Sequence, residues 1–253
     1  MSEYQIKATV RYDGGGFAGW QIQPEARTVQ GEIERVLSLM APEPVRILGA
    51  SRTDAGVHAL GQVFCFTWKG EPPLRRLRKS ISQMLSPDVR VESMEVVPEE
   101  FHPIYSAVQK KYAYTISLAT EPDPFSARYA WRVPKDIDLE LMAELGRRVV
   151  GTHDFAGYRC LGGSVKTTVR TIYSVEVLKG GVVGPDDADD LWRIEFVGGG
   201  FLYKMVRNLT GTMVDIARGH LPQERLAELL ESKGPFSGQT APACGLFLVE
   251  VAY

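Results

Sequence analysis

VRVESMEVV, Val89 to Val97, alternates apolar and polar residues with a period of two, the pattern of a strand with one buried face. Working back from it, Leu74, Leu77, Ile81, Met84 and Leu85 recur at helical spacing, and Pro87 stops that helix. Ahead of the helix stand two strand candidates, Val45 to Ala50 and Gln62 to Trp68. Val29, Ile33, Val36, Leu37 and Met40 predict an earlier helix that ends at Pro42 and Pro44, and YQIKATVRY (Tyr4 to Tyr12) opens the chain as a strand. With Val89 to Val97 as the closing strand, the first hundred residues read βαββαβ, the order of a ferredoxin-like split βαβ unit.

Working forward, the order repeats. Lys111 to Leu118 reads as a strand, Leu139, Met142, Leu145 and Val149 as one helix face, and Val169 to Leu178 and Leu191 to Val197 as strands. A helix from about Leu202 to Arg218 follows, then a short one carrying Leu226, Leu229 and Leu230, and GLFLVEVAY (Gly245 to Tyr253) closes as a strand. The expected fold is therefore α+β: two ferredoxin-like (split βαβ) lobes, residues 1–105 and 106–253, with mainly antiparallel sheets. A central cleft between such lobes is where a site is expected.

Composition excludes several classes. A chain of 253 residues with 44% hydrophobic and 24% charged residues has the makeup of an ordinary globular protein. Its apolar runs, such as Val63 to Phe66, fall far short of a membrane span, and MSEYQIK has no signal-peptide core, so the expected location is the cytoplasm, away from membranes. Cys65, Cys160 and Cys244 have no CxxC spacing and read as buried thiols. A net charge of −2 argues mildly against a nucleic-acid partner. Four acids, however, sit together in PDDADDL (Asp186, Asp187, Asp189, Asp190), which reads as a solvated loop and leaves the remaining surface more basic.

Some motifs mislead. GGGFAG (Gly14 to Gly19) matches the dinucleotide fingerprint GxGxxG, but WQIQP follows it and Pro24 delays the helix, so no helix N-terminus stands at the loop. A turn that needs close backbone approach is the better reading. His58, His102, His153 and His220 lack metal-ligand spacing. Ser51, Asp54 and His58 lie too close in sequence for a hydrolase triad, and no GxSxG is present. RRLRK, Arg75 to Lys79, reads first as a solvated helix face and only second as a set of phosphate contacts.

Between the two strands of the first half lies LGASRTDAGVHALGQ, Leu48 to Gln62, a long connection holding Arg52, Asp54, Gly56 and His58. Loops on a rigid sheet are where catalytic groups concentrate. An Asp followed closely by Gly is also what a plain turn selects, and the residues alone leave both readings open. RTDAGVHA resembles the motif of the tRNA pseudouridine synthase A (TruA) family. The likeness continues in YDGGGFAGWQIQP (Tyr12 to Pro24), SAVQKKYAYTI (Ser106 to Ile116), GTHDFAGY with TVRTI, FLYKMVRNLTG (Phe201 to Gly211) and APACGLFLVEV (Ala241 to Val251). Two departures stand out: Gly15 replaces the usual Thr or Ser, and Ile104 replaces a common Arg.

The resemblance implies isomerisation of uridine to pseudouridine at positions 38, 39 and 40 of the tRNA anticodon arm, with no metal or organic cofactor, by a homodimer. It also implies roles for particular residues. Asp54 matches the catalytic aspartate, which attacks the base or the sugar or assists a glycal route. Burial favours the neutral acid, so an ionised aspartate in a water-excluding site needs a cation, and Arg207 matches the arginine that pairs with it. Tyr112 matches the active-site tyrosine, whose ring stacks on uracil. The target base has to leave its stack, and Arg52 resembles the arginine that enters the vacancy. Leu246 resembles the apolar residue lining the base pocket. Without the family, Arg207 reads as a surface helix arginine and Tyr112 as a core strand residue. A catalytically silent RNA-binding factor on the same scaffold is the competing reading.

Overall fold

The computed structural model describes residues 2–121, 123–160, 162, 165–184 and 189–253. Of the acidic run, Asp186 and Asp187 lie outside the described residues; Asp189 pairs with Lys179 at 2.5 Å and Asp190 with Lys135 at 3.4 Å. The described backbone is α+β, with ten strands in mainly antiparallel pairing and five α-helices. None of these helices is long and apolar enough to cross a membrane. The chain divides into two compact units, Met1–Val108 with Leu248–Tyr253, and Gln109–Phe247.

The first unit runs β1 (Glu3–Tyr12), α1 (Val29–Ser38), β2 (Leu48–Gly49), β3 (His58–Lys69), α2 (Leu74–Met84) and β4 (Val89–Val97). β1 lies between β4 and β3, antiparallel to both, and buries Ile6, Ala8 and Val10 from alternate positions. β4 keeps the alternation that its sequence predicts at Val89 to Val91, then slips past one residue, Glu92, opposite Thr9 and Val10. The Thr28 hydroxyl caps α1 by accepting from the Gly31 N–H at 3.2 Å, and Val29, Ile33, Val36 and Leu37 face the core. Flanked by other strands, β3 buries Val63 to Phe66 in succession. Phe64, Phe66 and Trp68 form an aromatic row on one of its faces, continued by Trp20 and Tyr12.

The expected strand Val45 to Ala50 shrinks to the two residues of β2. The Val45 N–H donates to the Ser38 hydroxyl at 2.9 Å and the Ile47 N–H to the Glu34 carboxylate at 3.0 Å, so α1 side chains take the amides a strand would have used. β3 in turn starts four residues earlier than Gln62, because Ala59 pairs with Tyr12 of β1.

The second unit contains β5 (Gln109–Ser117), β6 (Trp131–Arg132), α3 (Leu139–Arg148), β7 (Gly151–Asp154), β8 (Val169–Lys179), β9 (Leu191–Gly198), α4 (Met205–Ala217) and α5 (Arg225–Glu231). Its sheet follows the order β5-β9-β8-β7, with β6 running parallel beside β5. β6 and β7 have no period of their own to read; β7 is held by pairing with β8 and by the Thr152 and Thr171 hydroxyls, 2.8 Å apart. The chain ends in β10 (Leu246–Ala252), whose residues from Leu248 onward return to the first unit beside β3. Of the three cysteines, only Cys65 is fully buried; Cys160 and Cys244 are half-buried thiols, a correction to the sequence expectation.

Candidate active site

Asp54 lies half-buried in the loop that joins β2 to β3. Residues on both sides of it are pinned. The Trp20 N–H donates to the Thr53 carbonyl at 3.0 Å, the Gly56 N–H to the Phe17 carbonyl at 3.3 Å, and the Tyr12 and Thr53 hydroxyls lie 2.8 Å apart. At the base of the loop, the fully buried Gln62 side chain donates to the Ser51 carbonyl at 2.7 Å and accepts from the Ser51 N–H at 3.2 Å. At its exit, the Gly14 N–H donates to His58 Nδ1 at 3.1 Å.

The Gly-rich segment thus has a use that a fingerprint match does not suggest. Its glycines make room for the Asp54 loop. A Cβ at Gly14 would lie 1.9 Å from the Val57 carbonyl oxygen, and one at Gly19 would lie 2.7 Å from the Thr53 oxygen, where the backbone also has φ +101°. Gly15, one of the two departures, donates its N–H to the Asp13 carboxylate within the turn, at 2.9 Å. Gly19→Ala is expected to destabilise the fold by about 1–3 kcal/mol, from the forced left-handed conformation, and to lower turnover by displacing Asp54. Urea unfolding and single-turnover assays check both; wild-type turnover in the variant would show that the loop tolerates the shift.

In the second unit, Arg207 is the third residue of α4. All twelve other residues of this thirteen-residue helix are buried, and only Arg207 is partly open to solvent. The surface-helix reading of Arg207 is therefore wrong, because α4 is no surface helix. Arg207 donates from Nε to the Ala241 carbonyl at 2.8 Å, and its own carbonyl accepts from the Ala241 N–H at 3.2 Å. This double link ties the start of α4 to the segment that leads into β10 and Leu246, which is buried. A cation in the first turn of a helix opposes the helix dipole, which favours an anion there. Lys204, just before α4, has φ +60°, a left-handed conformation costly for a non-glycine residue.

Tyr112 and Tyr114 share one face of β5 but differ in what holds them. Tyr114 is fully buried, donates its hydroxyl to the Pro242 carbonyl at 2.7 Å and packs its ring against Gly245. Burial, opposed in part by the Arg207 charge, pushes the Tyr114 hydroxyl far above its usual range. Its proton is committed to structure. Tyr112, also buried, meets Phe201 edge-on with ring centroids 5.2 Å apart. Phe201 was not among the predicted site residues, although it stands within FLYKMVRN. Arg52, two residues before Asp54 in the same loop, is exposed.

Residues 8–106 and 147–253 match the family model described as tRNA pseudouridine synthase. The chain belongs to that family. Relatives named tRNA pseudouridine synthase A resemble it over nearly their whole length. The protein of Exiguobacterium sp. (strain AT1b) is 42% identical over 250 residues, 98% of each chain. That of Citrifermentans bemidjiense is 39% identical over 250 residues, covering 98% of this chain and 97% of the relative. That of Streptococcus thermophilus is 40% identical over 251 residues, covering 98% and 99%. Within the synthase family match, Arg52, Asp54, Arg207 and Leu246 all fall in the two matched stretches, and Tyr112 falls between them.

One further group near the start of β5 titrates unusually. Lys110 is buried, and burial, then the charge of Arg170, lowers its ammonium to about 8 from 10.5. Because the folded value lies below the unfolded one, the folded protein sheds this proton first. Stability contributed at this position therefore rises as pH goes from about 8 to 10.5, by at most about 3 kcal/mol. Lys110→Met is expected to remove that rise and to be more stable than wild type at pH 7.5. The check is the difference in unfolding free energy between the two proteins at pH 7.5 and 10.5; a constant difference would refute it.

Proposed function

We propose that this protein is a tRNA pseudouridine synthase that isomerises uridine to pseudouridine at positions 38, 39 and 40 of the anticodon arm, without metal or organic cofactor, as a cytoplasmic homodimer. The observation that carries the reading is the likeness of about 40% identity along 98% of this chain, which includes the Asp54 loop and the Arg207 helix. The neighbours β4-β1-β3, with β2 on the other edge of β3, support reading the first unit as a split βαβ lobe, and β5-β9-β8 support the same for the second.

The reaction breaks the bond from ribose C1′ to N1 and forms one from C1′ to C5, while a proton leaves C5 and another is taken up at N1. Nothing is oxidised or reduced. Asp54 serves as nucleophile toward the base or the sugar, and its pinned loop fixes the carboxylate before substrate arrives. Arg207 keeps the carboxylate ionised where water is excluded. Tyr112 presents its ring to the uracil, with Phe201 behind it, and Leu246 offers apolar surface to the flipped base. Arg52 fills the stack that the base has left.

The test is incubation with an unmodified tRNA transcript carrying uridines at positions 38 to 40, followed by carbodiimide labelling and primer extension. New stops at those positions are expected. Absence of stops with tRNA still retarded in a gel would favour the silent binding factor.

A further inference from the structure

The basic run of α2 is left over by this reading. Residues 72–87 contain Arg75, Arg76, Arg78 and Lys79 and not one acid. Leu77 and Ile81 turn inward and are fully buried. Helical geometry then puts Lys79 opposite that stripe, Arg75 and Arg76 to either side of Lys79 on the outer face, and Arg78 on a flank. All four are exposed. Arg78 is held by the Glu92 carbonyl at 2.9 Å, whereas Arg75, Arg76 and Lys79 form no ion pair among the described residues. Together with Pro73 and Leu74, these three border one open, shallow patch of surface.

This arrangement is poor for the helix itself. Arg75 and Arg76 stand in its first turn, where a cation opposes the dipole, and neither an acidic residue nor a side-chain cap offsets them. A local rule broken without compensation marks a surface kept for another purpose. In a chain of net charge −2, four adjacent unneutralised cations fit a polyanion.

Its place in the unit identifies which part of one. The Asp54 loop enters β3 at His58, and α2 begins just beyond the other end, Lys69. β3 spans about 36 Å, and α2 runs part of the way back along β4, its Ser82 hydroxyl accepting from the Val91 N–H at 3.0 Å, so Arg75 and Arg76 at its start are the cations of this helix farthest from the loop. Resting on the function proposed above, we infer that the outer face of α2, through Arg75, Arg76 and Lys79, binds backbone phosphates of tRNA outside the anticodon arm and anchors the body of the substrate far from the reacting uridine.

The experiment compares wild type with Arg75→Glu/Arg76→Glu/Lys79→Glu, and with the corresponding triple Gln variant, on an unmodified full-length tRNA transcript and on its excised anticodon stem and loop. Glutamate suits a first helical turn, so the thermal midpoint should hold or rise, which a purely structural role for these cations would not give. For full-length tRNA, KM should rise about tenfold or more with kcat unchanged, and the slope of log K against log salt should become shallower by about two. KM for the stem and loop should stay within twofold. Unchanged KM on full-length tRNA, or equal weakening of both substrates, would overturn the anchor. If wild type forms no pseudouridine, the functional reading fails by itself, and gel-shift affinity of the same variants still decides the surface.

Discussion

Asp54→Asn is expected to abolish pseudouridine formation, by about four orders of magnitude or more, while tRNA affinity stays within about tenfold of wild type. The substitution is nearly isosteric and removes one charge. The contacts that fix the loop run through Ser51, Thr53, Gly56 and their backbone partners, so the variant should keep the loop and the fold. Binding is spread over many phosphates, and one charge at the reacting centre contributes little to it, whereas turnover requires that charge. Carbodiimide mapping and a gel shift on the same preparation read both quantities. Turnover within tenfold of wild type would remove Asp54 from its role, and loss of binding in step with activity would make it a structural residue.

Arg207→Ala should lower kcat by about a hundredfold to a thousandfold, the range for removing one charged stabiliser from a dry site. The acidic limb of its rate profile should also move to higher pH, because a carboxylate that loses a neighbouring cation holds its proton longer. A second effect runs through structure. Loss of the Nε bond to the Ala241 carbonyl should cost about 1 kcal/mol of stability. Arg207→Lys separates the two: it keeps the charge but gives up the planar guanidinium and its Nε donor. The lysine variant is expected to keep the wild-type acidic limb with reduced kcat. An acidic limb that does not move in Arg207→Ala would sink the proposed pairing with Asp54.

Much of the fold could be read because its strands and helices keep their periods where one face meets water. Val89 to Val97 is an edge strand, and its alternation is visible for that reason. Legibility failed where side chains replace backbone partners. Glu34 looks like any polar position on α1, yet it is buried and takes the Ile47 amide, which erases most of a strand. α4 hides in the same way. MVRNLTGTMVDIA looks half polar, but Asn208 donates to the Tyr158 carbonyl at 2.8 Å and accepts from the Thr240 hydroxyl at 2.7 Å, and the Thr212 hydroxyl donates to the Asn208 carbonyl at 2.9 Å. Polar groups that find partners inside the fold, as Asn208 and Thr212 do, make a buried helix resemble a surface one.

The candidate site divides along similar lines. Asp54 is legible because its motif is contiguous and lies in a loop. The support beneath it is scattered over Tyr12, Gly14, Gly19 and Gln62, and only folding shows that these touch one segment. The glycines of the false dinucleotide fingerprint carried a real signal, close backbone approach, but the object approached is the chain itself and not a pyrophosphate.

The return of the last residues to the first unit bears on how the protein is made. β3 has its β10 neighbour, and the Tyr253 hydroxyl its bond to the Pro103 carbonyl at 2.9 Å, only after translation has passed through the whole intervening unit. A ribosome-bound nascent chain that ends before Leu248 therefore carries the Asp54 loop on an unfinished sheet. A truncation that removes the residues from Leu248 onward would therefore weaken the unit that residues far earlier in the chain build.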